Sequence, residues 1–174
     1  MGTEKHPVHT KVARLVETHL PLSCKMIKDK DCRGNQRIPL FMSEVKSRKT
    51  GYCNVDLLIT KEGKIRAIIE IEESNVKPTQ VCGKFLTSAL ARFYIHPSQK
   101  DRPTPMGDDV VFIQILDTSG LMKGSTSKVE QWKNLEKSLQ SMLPVRQIAN
   151  YNIISWDETS PDGSNLLLGY LEKL

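Results

Sequence analysis

Two apolar runs separated by a short glycine-containing segment constrain the fold of this chain more than any other feature. The runs cover residues 54–59 and 64–72, and the segment between them includes Lys61, Glu62 and Gly63. A three-residue hairpin loop needs a left-handed backbone at its last position, where glycine costs least. The pattern therefore predicts an antiparallel β-hairpin with the two runs as its strands.

The length of the loop sets the register of the two strands. With three residues in the loop, Thr60 pairs with Lys64, and Asp56 lies opposite Ile68. A shift of one residue would move every side chain of one strand to the opposite face of the sheet. The assignment of the loop therefore decides which side chains are predicted to lie together.

Three acidic residues are predicted to share one face of this hairpin. Side chains alternate along a strand with a period of two, which places Glu70 and Glu72 on the same face as Asp56. This face is expected to be polar and available for chemistry. The opposite face is expected to build a core from apolar residues: Val55, Leu57, Ile59, Ile65, Ala67, Ile69 and Ile71.

Acidic residues concentrated on one strand face need a compensating positive charge. Strand interiors are depleted in acidic residues, and like charges at neighbouring positions repel each other. A hard divalent cation with oxygen ligands, Mg²⁺, Ca²⁺ or Mn²⁺, would supply that charge. The alternative is that the acids form the solvent-exposed face of an amphipathic hairpin, balanced by Lys64 and Arg66. Ile68, between the acids, favours a partly enclosed cleft over that alternative.

The composition is typical of a folded globular domain. The chain has 174 residues, of which 39% are hydrophobic and 26% charged, so one domain over residues 1–174 is expected. The sequence shows neither an apolar stretch able to span a bilayer nor a signal-peptide pattern, so we expect no membrane contact and a cytoplasmic, intracellular location. The cysteines include no Cys-x-x-Cys pair, which argues against a closed zinc site: Cys24, Cys32, Cys53 and Cys82.

The net charge favours a polyanionic partner. Lys and Arg total 25 against 20 Asp and Glu, which gives a formal charge of +5 and a pI near 9.0. The alternative for any single basic residue is an ordinary solvated surface charge. Residues on both sides of the acidic hairpin are interpreted as contacts to DNA phosphates: Lys46, Arg48, Lys49, Lys77, Gln80, Lys100 and Arg102.

The remaining sequence alternates helical and extended patterns, which indicates an α/β fold with a mixed β-sheet flanked by helices. The predicted order is a helix, a three-strand antiparallel meander, a helix, a strand, a helix and a strand. Residues 24–37 and 97–109 are predicted to be loops, and residues 165–174 a terminal element of undetermined type. The other predicted helices and strands cover residues 8–20, 38–45, 78–93, 110–116, 127–142 and 151–156.

The middle of the chain resembles the restriction-endonuclease-like, or PD-(D/E)xK, nuclease superfamily. The motif of that family has an aspartate on the second strand of a meander, an acid-x-lysine sequence on the third strand, and a helix behind them. Asp56 matches the aspartate and Glu70 the first acid. The resemblance implies that both bind the metal together with the backbone carbonyl of Ile71. Glu44 resembles the additional upstream acid of the family, and Glu17 competes for that role.

The chain departs from this motif at two positions. Val55 stands where the motif has proline, and Glu72 occupies the lysine position, giving acid-x-acid. The resemblance implies that the lysine aligns the attacking water. That role falls either to Glu72, as a base, or to a lysine reaching in from the following helix, Lys77 or Lys84.

The resemblance implies a Mg²⁺- or Mn²⁺-dependent endonuclease that hydrolyses DNA phosphodiester bonds, of a restriction or repair type. A compact nuclease that cuts both strands is expected to act as a symmetric homodimer. The alternative is a catalytically inactive nucleic-acid-binding or protein-interaction module on the same fold. Three acids at the centre of a phosphate-binding surface would weaken binding, which favours the enzyme. The sequence has no nucleotide-binding or hydrolase motif of a small-molecule enzyme.

Overall fold

The computed structural model describes residues 6–73, 76–121, 126–157 and 159–174. The helices are α1 (Pro7–His19), α2 (Pro78–Leu90), α3 (Thr126–Gln140) and α4 (Asp162–Leu171), with a short 3-10 helix at Pro97–Gln99. The strands are β1 (Cys24–Lys28), β2 (Pro39–Phe41), β3 (Gly51–Asn54), β4 (Leu57–Lys61), β5 (Lys64–Glu72), β6 (Phe93–Tyr94), β7 (Thr104–Asp117) and β8 (Ile148–Trp156).

A mixed β-sheet forms the centre of the fold. Strands β1, β4 and β5 are neighbours and run antiparallel, whereas β5, β7 and β8 are neighbours and run parallel. The first residues of β7 also pair with β6, and the sheet continues from there through β2 to β3. The predicted α/β class with a mixed sheet and flanking helices is confirmed.

Helices cover both faces of this sheet, so each face has its own hydrophobic core. Residues of α2 and α3 pack on one face and include Phe85 and Trp132. Residues of α1 and α4 pack on the other face and include Val12 and Leu167. Within the described ranges, none of the helices has the length and apolar character needed to cross a membrane.

The hairpin is present, but its turn is tighter than the sequence predicts. Lys61 pairs with Lys64, so only Glu62 and Gly63 form the turn, with positive φ angles of 53° and 74°. Positive φ at both central residues is typical of a type I′ turn, whose twist matches the twist of the flanking strands. The predicted pairing of Thr60 with Lys64 is therefore wrong by one position.

A bulge moves the register by one further residue without exchanging the faces. The irregularity lies between Ile59 and Thr60, and beyond it Leu58 rather than Asp56 lies opposite Ile68. A total shift of two residues keeps Asp56 on the same face as Glu70 and Glu72, because the side chains alternate with a period of two. Asp56 thereby lies closer to the end of β5 than predicted.

The face that carries the acids is not the polar surface that the sequence predicts. Leu58 and Ile68 on this face are fully buried in the core beneath α2 and α3. Val55 and Ile65, predicted to point to the opposite face, belong to the same core. The other predicted core residues do pack beneath α1 and α4: Leu57, Ile59, Ala67, Ile69 and Ile71. The sheet is buried on both faces because its parallel half is covered by helices on each side.

The meander begins with a different strand from the predicted one. The sequence predicts residues 38–45, but β2 spans only Pro39–Phe41 and pairs with β3 and β6. The strand beside β4 is β1, in the segment predicted to be a loop. Its lysines, Lys25 and Lys28, give β1 the polar pattern that favours the loop prediction. Lysines of this kind are typical of an edge strand, where they oppose pairing with other chains.

The segment predicted as a surface loop, residues 97–109, is partly a strand. Strand β7 begins at Thr104, and its first two residues pair with β6. Pro105 is tolerated there because the pairing is only two residues long, at the margin of the sheet. The predicted buried strand at 110–116 is confirmed as the second half of β7, and most of 165–174 belongs to α4.

A buried hydrogen bond between β7 and β8 gives a test of the core. The Tyr151 hydroxyl donates to Gln114 Oε1 at 2.5 Å, and both side chains are buried. Tyr151→Phe leaves that oxygen unpaired, so we expect the free energy of unfolding to fall by about 1–3 kcal/mol. Urea denaturation measures the loss, and Tyr52→Phe, at an exposed hydroxyl, is the control expected to change it by less than about 0.5 kcal/mol. Equal midpoints for wild type and Tyr151→Phe would contradict the prediction.

Candidate functional site

The three acids of the hairpin meet around one lysine of α2. Lys84 Nζ lies 2.9 Å from Glu70 Oε2 and 2.6 Å from Glu72 Oε1. The same atom lies 4.0 Å from Asp56 Oδ2. Asp56 directly precedes β4, and the two glutamates lie at the end of β5, so the cluster is at the edge of the sheet where β5 ends. The carboxyl ends of parallel strands are where open α/β sheets bind ligands.

Most of this acidic cluster, defined as Asp56, Glu70, Glu72 and Lys84, is shielded from water. The Glu70 side chain is 1% exposed and that of Lys84 is 34% exposed, with the other two acids between them. The alternative of a solvent-exposed acidic hairpin face is therefore wrong. Lys84 is the most exposed member of the cluster, and Asp56 and Glu72 are exposed to a smaller extent.

The environment of Glu70 disfavours its ionised form. Burial raises the pKa of Glu70 well above its usual value, and the neighbouring Asp56 carboxylate raises this pKa further, while Lys84 acts in the opposite direction. Lys84 contacts only Oε2; Oε1 is buried and has no hydrogen-bond partner within the described ranges. A buried carboxyl oxygen without a partner is costly, and a cation is a group that would satisfy it.

Lys84 is a permanent positive charge in this cluster. Burial alone would lower the pKa of Lys84, but Glu70, Asp56 and Glu72 outweigh this effect and raise the pKa above its usual value. At neutral pH the side chain therefore keeps its proton and does not accept another group's proton. One ammonium faces three carboxyl groups, so the cluster has room for additional positive charge. Its oxygen donors are of the type that Mg²⁺ and Mn²⁺ prefer.

Asp56 is held in place by backbone groups. The Ile71 N–H donates to Asp56 Oδ2 at 2.7 Å, and the Asp29 N–H donates to the Asp56 carbonyl oxygen at 2.9 Å. These bonds fix the carboxylate at the end of the sheet, between the layers of α1 and α2. Ile71 therefore lies beside Asp56, and the role of its carbonyl as a metal ligand stays a prediction.

Helix α1 brings residues to the cluster that the sequence analysis misses. His9 is buried, and its Nε2 lies 3.8 Å from Asp56 Oδ2. The backbone N–H and the Nδ1 of His9 contact Glu73 Oε1 at 2.9 and 2.7 Å. His6 Nδ1 lies 3.9 Å from Glu73 Oε2. The only local signal is the spacing of two histidines on one helix face, and nothing local connects them with a strand 64 positions later.

Neither predicted upstream acid contacts the acidic cluster within the described ranges. Glu44 is exposed in the segment between β2 and β3. Glu17 forms an ion pair with Lys28, at 3.0 Å, on the exposed side of α1. From α1 it is His9, and not Glu17, that reaches Asp56. Within the described ranges, no contact between Glu44 and the acidic cluster supports its predicted catalytic role.

Five of the predicted DNA-contacting residues are exposed and lie in two segments that contact each other. The β2–β3 segment and the segment before β7 meet where Lys46 Nζ lies 2.8 Å from Asp101 Oδ1. We name this group the basic patch; its members are Lys46, Arg48, Lys49, Lys100 and Arg102. Within the described ranges, the basic patch makes no ion pair with the three acids.

The other two predicted DNA contacts lie at the start of α2. Lys77 and Gln80 are both exposed, and Gln80 Oε1 accepts a hydrogen bond from the Lys77 N–H at 3.1 Å. Gln80 therefore stabilises the first turn of the helix. The contact of Gln80 with DNA stays a prediction. Lys84, one turn later on α2, does reach the acids.

The chain was compared with protein-family models, with curated proteins and with solved structures, and none of the three comparisons found a significant match. The case for a function therefore depends on the geometry and chemistry of the site.

Proposed function

We propose that this chain is a divalent-metal-dependent endonuclease that hydrolyses phosphodiester bonds of DNA. The observation that carries the proposal is the meeting of Asp56, Glu70 and Glu72 around Lys84 at the end of β5. Such a cluster combines oxygen donors for a hard cation with a fixed positive charge for a phosphate. A patch that only bound phosphate would gain nothing from three acids at its centre.

The surrounding topology supports kinship with the restriction-endonuclease-like superfamily. The antiparallel meander of β1, β4 and β5 is followed by α2 and then by β7, which pairs in parallel with β5. This order supports the proposed kinship, although β2 and β3 are inserted between β1 and β4 and β6 lies between α2 and β7. The motif has a lysine on the strand at the position of Glu72. In this chain Lys84 on α2 lies beside Glu72 and would supply the same positive charge from the helix.

The residues divide the chemistry among them. Asp56 and Glu70 would hold the cation, with the unpaired Oε1 of Glu70 among the donors. A bound Mg²⁺ lowers the pKa of water and stabilises negative charge on phosphate oxygens. Lys84 keeps its proton and orients the scissile phosphate by its charge. Glu72, which is more exposed than Glu70, is then the carboxylate that takes the proton from the attacking water.

The proposed substrate is DNA because the chain is basic overall and has exposed cations outside the site. The formal charge is +5, and the basic patch offers five exposed side chains for phosphates. Binding through such contacts weakens as salt increases, because each phosphate contact releases counterions. A homodimer, which the resemblance also implies, would present two such sites to the two strands.

Nicking of supercoiled plasmid tests this function. We expect the purified chain to convert the plasmid to open-circular and linear forms in Mg²⁺ or Mn²⁺, with a rate at least about a hundredfold lower in EDTA. The matched control is Asp108→Asn, which removes an exposed acid beside the hairpin turn, at the opposite edge of the sheet, and is expected to cut normally. Plasmid binding without nicking would contradict the proposal and favour the inactive DNA-binding module.

A further inference from the structure

We propose that His6, His9 and Glu73 form a second cation site, selective for a transition-metal ion of the Zn²⁺ type, beside the acidic cluster. Each residue offers one ligand atom, and the three atoms lie within 4.8 Å of one another. Two imidazoles and one carboxylate are a donor set that suits Zn²⁺ and its neighbours better than Mg²⁺. Binding of an ion here does not require that the chain be a nuclease.

The two imidazole rings direct the same nitrogen toward Glu73. His9 Nδ1 lies 2.7 Å from Glu73 Oε1, and His6 Nδ1 lies 3.9 Å from Glu73 Oε2. The ring centroids of the two histidines are 5.2 Å apart, with the rings close to edge-on. The donors therefore converge on one small volume, and bonds of about 2.0–2.2 Å to a single ion need only small side-chain movements.

The opposite nitrogen of each ring faces another carboxylate. His6 Nε2 lies 3.7 Å from Asp31 Oδ1, and His9 Nε2 lies 3.8 Å from Asp56 Oδ2. Histidines that bind metal typically direct their second nitrogen to a carboxylate, which fixes the tautomer and makes the ligating nitrogen more basic. Both rings have a carboxylate on that side, at ion-pair rather than hydrogen-bond distance, which a simple ion pair between His9 and Glu73 does not require.

The position of the site in the fold explains what an ion there would do. His6 is the N-terminal cap residue of α1, and Glu73 directly follows β5. An ion bound to both would join the start of α1 to the end of β5. His9 would also connect it with Asp56 of the acidic cluster. Three protein ligands leave a fourth position open to water, as in catalytic zinc sites.

Calorimetric titration of Zn²⁺ into the chelator-stripped chain tests this site. Excess Mg²⁺ in the buffer occupies the oxygen-only donors, and we then expect one Zn²⁺ per chain. His6→Ala removes an imidazole ligand, and Glu73→Gln replaces the carboxylate by a weaker amide donor. Neither change alters the packing of the hydrophobic core, and each is expected to weaken Zn²⁺ binding at least about tenfold. Asp31→Asn, which removes the carboxylate behind His6, is expected to weaken it about tenfold. His19→Ala, at the far end of the same helix, is the matched control.

Co²⁺ gives a second readout that depends on the ligands. Co²⁺ bound to two imidazoles and a carboxylate absorbs visible light, and we expect this absorption to be lost in His6→Ala but kept in His19→Ala. Circular dichroism of each variant shows that the helix content is unchanged. Absence of Zn²⁺ binding to the wild type, or equal affinities for wild type and His6→Ala, would overturn the inference. Either result leaves the plasmid-nicking test of the acidic cluster unaffected, so the two proposals fail separately.

Discussion

Asp56→Asn is expected to lower the rate of plasmid cleavage at least about a thousandfold while leaving the fold and DNA binding intact. Such a change corresponds to about 4 kcal/mol of transition-state stabilisation, the scale of a metal ion's contribution as a Lewis acid. Asparagine has the size of aspartate, and its carbonyl oxygen can still accept the bond from the Ile71 N–H. What is lost is the negative charge and one oxygen donor for the cation.

The measurement compares cleavage and binding in the same preparation. Nicking rates in Mg²⁺ give the loss of activity, and gel-shift titration with a DNA duplex gives the affinity, which is expected to change by less than about threefold, since Asp56 makes no phosphate contact in this proposal. Asp108→Asn makes the same chemical change at the opposite edge of the sheet. Cleavage by Asp56→Asn at the wild-type rate would remove Asp56 from the site.

Lys84→Met is expected to lower the cleavage rate by about 10²–10³, the usual cost of removing one group that stabilises negative charge at a reacting centre. Methionine keeps most of the length of lysine but has no charge. The substitution removes the ammonium group that lies within 4.0 Å of Asp56, Glu70 and Glu72. Lys133→Met, on the exposed side of α3, is the control and is expected to retain full activity.

A double variant tests whether the ammonium must come from the helix and the carboxylate from the strand. In Glu72→Lys/Lys84→Met, the ammonium comes from β5, at the position where the superfamily motif has lysine. Since Glu72 Oε1 and Lys84 Nζ lie 2.6 Å apart, the new amine can reach the same volume. The double variant also lacks Glu72, the proposed proton acceptor, so we expect it to cut no faster than Lys84→Met. Cleavage at least about tenfold faster than in Lys84→Met would show that Glu72 is not the base and that an ammonium on the strand is sufficient.

Local pattern was enough to predict the hairpin and the shared face of its acids. Alternation with a period of two is a property of the strand itself, so Asp56, Glu70 and Glu72 stay together even though the register moves by two residues. The apolar run in β7 likewise predicts a strand buried on both faces, and this is confirmed by Phe112 and Ile113, which pack in opposite cores. The α/β class with a mixed sheet follows from the same patterns.

Local pattern was not enough where the partner is distant in sequence. The identity of β1 depends on pairing with β4, whose paired residues lie 29 to 37 positions away, and the polar residues of β1 do not reveal this pairing. The alternation of side chains shows which residues share a face of the hairpin, but it does not show which elements cover that face. The sequence therefore predicts an amphipathic hairpin with one exposed polar face. In the structure α2 and α3 cover that face, and Glu70 is buried as a result.

The sequence by itself therefore determined which acids share a strand face and the class of fold that carries them. Only the tertiary structure decided that Lys84, rather than Lys77, enters the acidic cluster, and that His9 and Glu73 lie beside it. The physical reason is that strand alternation is set within a few residues by backbone geometry. The meeting of α1, β5 and α2 is set by burial of apolar surface over the whole chain, which no single segment encodes.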